Sequence, residues 1–194
     1  MNTFVLEKNE NGDEVLIDVF AKMTKSRTIY ITGEIDYKSA TDVVATLIYL
    51  RSKKAKDPTI NIFMNAWASD VRSVLMITDA FLSMNNIPIR VVVSGESWGA
   101  ATILLAAADK AQAGVNTIIH MGPVRLDPKY SNMDDAERYM KRLKIDDKKI
   151  HQLYSKKIGK SIKDVIKMCE KDTYLSSKEA LKLRIIDSIV GENK

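Results

Sequence analysis

Ser97 stands in the run Val91-Val92-Val93-Ser94-Gly95-Glu96-Ser97-Trp98-Gly99-Ala100-Ala101, where an apolar strand drives into a serine and a small-residue helix leaves it. A strand-to-helix turn of this kind exposes a hydroxyl beside the free N–H groups of a helix start. That is one way to set a nucleophile next to an anion-binding site. Gly95-Glu96-Ser97-Trp98-Gly99 also fits the G-x-S-x-G pattern, although the same residues suit a serine that merely caps a helix. A serine nucleophile needs a base, and the chain offers His120 and His151. His151 lies in a helical stretch beside Lys148, Lys149 and Gln152, the pattern of a helix surface. His120 ends an apolar run and is closely followed by Gly122-Pro123, a better place for a reactive group. The base in turn needs a carboxylate to fix its tautomer. Asp127, Asp134, Asp135, Asp172 and Asp187 all follow His120, and spacing alone does not choose among them.

Several other chemistries are disfavoured. An α/β-hydrolase orders its triad serine, acid, histidine and carries a glycine-rich oxyanion loop, which this chain lacks. There is no His-x-x-x-His, Walker or dinucleotide-binding glycine pattern. The single cysteine, Cys169, excludes an intramolecular disulfide. Much of the basic excess behind the net charge of +5 lies in 141–171, interrupted by Asp146, Asp147, Asp164 and Glu170, and the apolar residues there fall at helical spacing. That is a solvated helix face, and no nucleic-acid partner is expected. No run approaches a membrane span, and residues 1–8 lack a signal-peptide core, so no membrane partner and a cytoplasmic location are expected.

The elements that must position Ser97 and His120 alternate strand with helix. Strands are expected at 28–32, 59–64, 89–93, 116–120 and 185–190, and helices at 39–54, 69–85, 97–109 and 133–157. Ser39 with Asp42 and Ser176 with Glu179 look like capping boxes, and Ser161 starts a further helix. Residues 7–15 read as a turn joining two short strands, and 121–132 as the one long irregular region. Such alternation implies an α/β fold with a parallel sheet, whose sites lie beyond the carboxyl ends of the strands. Asn65, Ser97 and His120 each end or follow a strand. At 194 residues, with 45% hydrophobic and 28% charged residues, one domain spanning 1–194 is expected.

The chain resembles the ClpP family, the caseinolytic proteolytic subunits of ATP-dependent proteases, from about Phe4 to Val190. The resemblance is carried by Ile29-Tyr30-Ile31-Thr32-Gly33-Glu34-Ile35-Asp36, Ser97-Trp98-Gly99-Ala100, Ile118-Ile119-His120, Asp172-Thr173-Tyr174-Leu175-Ser176-Ser177-Lys178-Glu179-Ala180 and Ile186-Asp187. It implies a ClpP/crotonase-like fold of repeated β-β-α and βα units, with an axial segment at 1–20. A handle strand and helix over 121–160 would form the contact between rings. It implies a Ser97–His120–Asp172 triad hydrolysing peptide bonds of unfolded polypeptides, with the Ala68 and Trp98 amides as oxyanion hole and no cofactor or metal. It further implies a homo-oligomer of heptameric rings stacked as a tetradecamer, and an AAA+ unfoldase as partner.

The departures point the other way. The family's Ser-Pro-Gly-Gly-Ser is here Ala66-Trp67-Ala68-Ser69-Asp70, and alanine resists the backbone freedom of glycine. Trp98 replaces a methionine, and Met121-Gly122-Pro123 and Pro128 replace a glycine-rich segment that pairs with peptide. Asn61 replaces one aromatic of the unfoldase groove, while Phe63 keeps the other. Lys171 replaces an arginine at the ring contact. Two outcomes follow: an active serine peptidase, improved by glycine at 68 and 69, or a ClpP-like structural subunit that assembles and cuts poorly.

Overall fold

A computed structural model describes residues 3–9, 11–123 and 133–192. The chain opens with an antiparallel hairpin, β1 (Phe4–Lys8) and β2 (Glu14–Asp18). Its turn is held by Asn9, whose side-chain oxygen accepts from the Asn11 and Asp13 amides. There follow α1 (Val19–Lys25), β3 (Thr28–Glu34), α2 (Tyr37–Ser52), β4 (Ile60–Ala68), α3 (Val71–Leu82) and β5 (Ile89–Gly99). A 3-10 turn, Ala100–Thr102, leads into α4 (Ile103–Ala107), β6 (Lys110–Gly114) and β7 (Ile118–Met121). The remainder is α5 (Met133–Ile158), α6 (Ile162–Cys169), β8 (Thr173–Ser176), α7 (Ser177–Leu183) and β9 (Ser188–Val190).

The strands β3-β4-β5-β6-β9 form a parallel sheet in that order. β7 joins β5 in parallel beyond the end of β6 and pairs antiparallel with β8. This is the α/β fold with a mostly parallel sheet that the alternation implied. The two faces of the sheet are unlike. On β4, Ile60, Ile62, Met64, Ala66 and Ala68 are buried, while Phe63 and Trp67 between them are exposed. The buried face packs under Leu47 of α2 and Val74 and Ile77 of α3, all fully covered. Burying each such large aliphatic side chain contributes about 1.5–3 kcal/mol.

Three strands run past the ends that the apolar residues mark. β3, β4 and β5 continue through Gly33, Ala66, Ala68, Ser97 and Gly99, small residues of weak apolar signal, of which Ala66, Ala68 and Ser97 are buried. α2 also starts early, because the Asp36 carboxylate accepts from the Ser39 amide while Ser39 Oγ accepts from the Asp36 amide. The Ser176–Glu179 capping box and the Ser161 cap form as expected. Residues 124–132, which include Asp127, Pro128 and most of the expected handle strand, lie outside the described residues.

Candidate active site

The site is built where β5 fails to stop. Between the pairs Met64↔Val93 and Ala66↔Ser97, one β4 residue, Asn65, faces three on β5: Ser94, Gly95 and Glu96. Asn65 fills the notch. Its side-chain oxygen accepts from the Glu96 amide at 3.1 Å, and a Cβ on Gly95 (φ 96°) would lie 2.8 Å from that oxygen. Past this bulge β5 resumes pairing for three more residues, through Trp67↔Trp98 and Ala68↔Gly99.

The strand-to-helix turn therefore falls at Gly99 (φ 63°, ψ −137°), two residues beyond the serine. This corrects the expectation that Ser97 heads the turn. Ser97 is an in-strand residue with 0% exposure. Its Oγ lies 3.0 Å from Thr102 Oγ1, and the Thr102 hydroxyl donates its own proton to the Ser97 carbonyl at 3.0 Å. The Ser97 hydroxyl is thus the donor to Thr102. It ties the strand end to the 3-10 turn as a satisfied buried polar group.

His120, on β7, and Asp172, just before β8, come together because β7 and β8 pair in the register His120↔Tyr174. His120 Nε2 lies 3.0 Å from Asp172 Oδ1. The ring is 3% exposed and sits between Trp98 and Tyr174, with centroid distances of 5.1 and 5.0 Å. Gly122 presses against this pair: a Cβ there would lie 2.6 Å from Asp172 Oδ1 and 2.7 Å from His120 Cε1.

The other ring nitrogen fixes the tautomer in this arrangement. His120 Nδ1 accepts from the Gly99 amide at 3.1 Å, so Nε2 carries the proton and donates to Asp172. The lone pair that would take a proton from a nucleophile is occupied by a backbone N–H. Among the described residues no hydrogen bond joins Ser97 to His120. The structure brings together two of the three candidate triad residues, His120 and Asp172, and sets Ser97 on the buried side of the neighbouring strand.

The candidate oxyanion donors, Ala68 and Trp98, lie inside the β4–β5 paired stretch. The Ala68 carbonyl covers the turn, since a Cβ on Gly99 would stand 2.5 Å from that oxygen. Gly99 is the turn residue whose backbone amide meets His120.

The second histidine also departs from expectation. His151 is buried rather than on the helix surface, with Nδ1 3.4 Å from Asp147 Oδ2. With Cys169 these residues line a cavity of about 330 Å³ against α5 and α6. Burial, with a smaller contribution from the Asp147 carboxylate, pushes the Cys169 thiol up to about 11. It stays protonated at neutral pH and supplies no substitute nucleophile. Among the described residues no cluster of three or more His, Cys, Asp or Glu is arranged to hold a metal, and no helix is long and apolar enough to cross a membrane.

Comparison with known proteins places the chain in context. Residues 11–193 match the Clp protease family. The chain is 28% identical over 190 residues, covering 96% of it and 94% of its relative, to an ATP-dependent Clp protease proteolytic subunit from Carsonella ruddii (strain PV).

Proposed function

The chain belongs to the Clp protease family, whose members are in general serine peptidases that form oligomers and work with Clp ATPases, and from that premise we propose that it is a ClpP-type subunit of a proteolytic ring assembly that does not itself cleave peptide bonds. The observation that carries the second half is Gly99. The turn that would present a nucleophile to His120 holds a residue with no side chain, and its amide occupies His120 Nδ1.

The assembly half rests on the family. Seven copies form a ring, and two rings stack through the handle that ends in the 26-residue helix α5. The polypeptide is delivered by an AAA+ unfoldase in the cytoplasm, and the hairpin β1–β2 belongs to the axial segment. For the unfoldase, Phe63 supplies an aromatic contact on the exposed sheet face, stacked on Tyr30 at 5.4 Å.

A second reading keeps Ser97 as nucleophile, His120 as base, Asp172 as its orienting partner, and the Ala68 and Trp98 amides as oxyanion hole. The His120–Asp172 contact favours it. It requires Ser97 to leave Thr102 and the β5 end to shift by two residues.

Native mass and peptide hydrolysis on one sample test the proposal. A ring-sized mass with hydrolysis at buffer background is expected. A monomer at micromolar concentration overturns the assembly half, and turnover that Ser97→Ala abolishes overturns the other.

A further inference from the structure

Both tryptophans of the chain lie in one cross-strand row at the carboxyl end of the sheet. Glu34 on β3 pairs with Trp67 on β4, and Trp67 pairs with Trp98 on β5. The Trp98 ring meets His120, and His120 meets Tyr174. Residues in register point to one face of a sheet. This is the exposed face, opposite Ala66, Ala68 and Ser97: Trp67 is 40% exposed and Tyr174 58%. The Trp67 indole reaches across Gly33, with its Cη2 3.9 Å from where a Cβ would sit there.

At the Trp67 end the row stops at a carboxylate. Glu34 is exposed, and its Oε1 accepts from Ser69 Oγ at 3.3 Å. Among the described residues Oε2 has no hydrogen-bond partner and Glu34 no ion pair. Arg72, at the start of α3, pairs with the buried Asp146 at 3.0 Å.

We propose that the Glu34–Trp67–Trp98 row holds an extended polypeptide by an arginine side chain, the guanidinium lying flat on Trp67 and donating to Glu34. An indole face attracts a cation, and a planar guanidinium stacks there while its edge still reaches a carboxylate. An aliphatic side chain would use the ring and leave the charge unanswered. The inference rests on the proposed function, in which this end of the sheet meets polypeptide without cutting it.

Because both tryptophans of the chain lie in the row, tryptophan fluorescence, excited selectively over the tyrosines, reads this surface. The native oligomer is titrated with a short glycine–serine peptide carrying two arginines, and with the same peptide carrying glutamines instead. The arginine peptide should shift the emission saturably and bind about ten-fold more tightly than its glutamine twin. Glu34→Gln should remove most of that preference, and Trp67→Phe should weaken the arginine peptide several-fold with the circular dichroism unchanged. Equal binding of the two peptides, or a preference that survives Glu34→Gln, overturns the assignment. So does a Trp67 shielded from a neutral quencher in the oligomer, which would mean that a second copy covers the row. Cleavage of the peptide, read by mass in the same titration, would count against the proposed function and leave the arginine preference to be judged by Glu34→Gln.

Discussion

Gly99→Ser combined with Ala68→Gly is expected to create peptide hydrolysis at least about 100-fold above that of the unaltered chain, the lower end of what a positioned general base contributes. Position 99 is the point on β5 whose backbone meets His120 Nδ1, so a hydroxyl there can displace the amide contact and use that nitrogen as base. His120 then keeps Asp172 on Nε2. The single change Gly99→Ser should do less. Its Cβ would meet the Ala68 carbonyl at 2.5 Å, and a side chain at φ 63°, ψ −137° carries backbone strain of about 1–3 kcal/mol. Ala68→Gly lets that carbonyl rotate away. Steady-state hydrolysis of a fluorogenic peptide, with His120→Ala added as a control, checks this. Background rates in a folded double variant would place the nucleophile position elsewhere.

The second large effect is on stability. His120→Ala should lower the unfolding free energy by about 2–4 kcal/mol. It strips the Gly99 amide and the Asp172 carboxylate of a partner and empties the space between Trp98 and Tyr174. The ring is a clasp joining β5, β7 and the start of β8, so its loss should be felt in urea unfolding and in near-ultraviolet circular dichroism. Hydrolysis, already at background, should not change. A loss of activity without a loss of stability would mark His120 as a working base instead.

Most of the fold was legible because its elements are written in apolar residues. α3, with Val74 and Leu75 inward, and α5, over 133–158 against the expected 133–157, follow from helical spacing. β6 was not visible: Lys-Ala-Gln-Ala-Gly has only alanines to bury, and they suffice because neighbouring strands cover them. His120 and Asp172 were legible as a pair through the family resemblance, and the β7–β8 register explains why they meet. G-x-S-x-G suggests Ser97 at the turn because it is a pattern of residue types, which does not fix the residue that occupies the turn. Two extra residues opposite Asn65 move the turn to Gly99, and one chain read alone carries no mark of that shift.

The central claim, that no nucleophile is presented at this site, is tested most directly by intact-protein mass after the native oligomer is incubated near neutral pH with a small fluorophosphonate. With Ser97 fully buried and donating to Thr102, and glycine at the turn, neither the unaltered chain nor Ser97→Ala should gain mass. A single stoichiometric adduct on the unaltered chain that Ser97→Ala removes would contradict it.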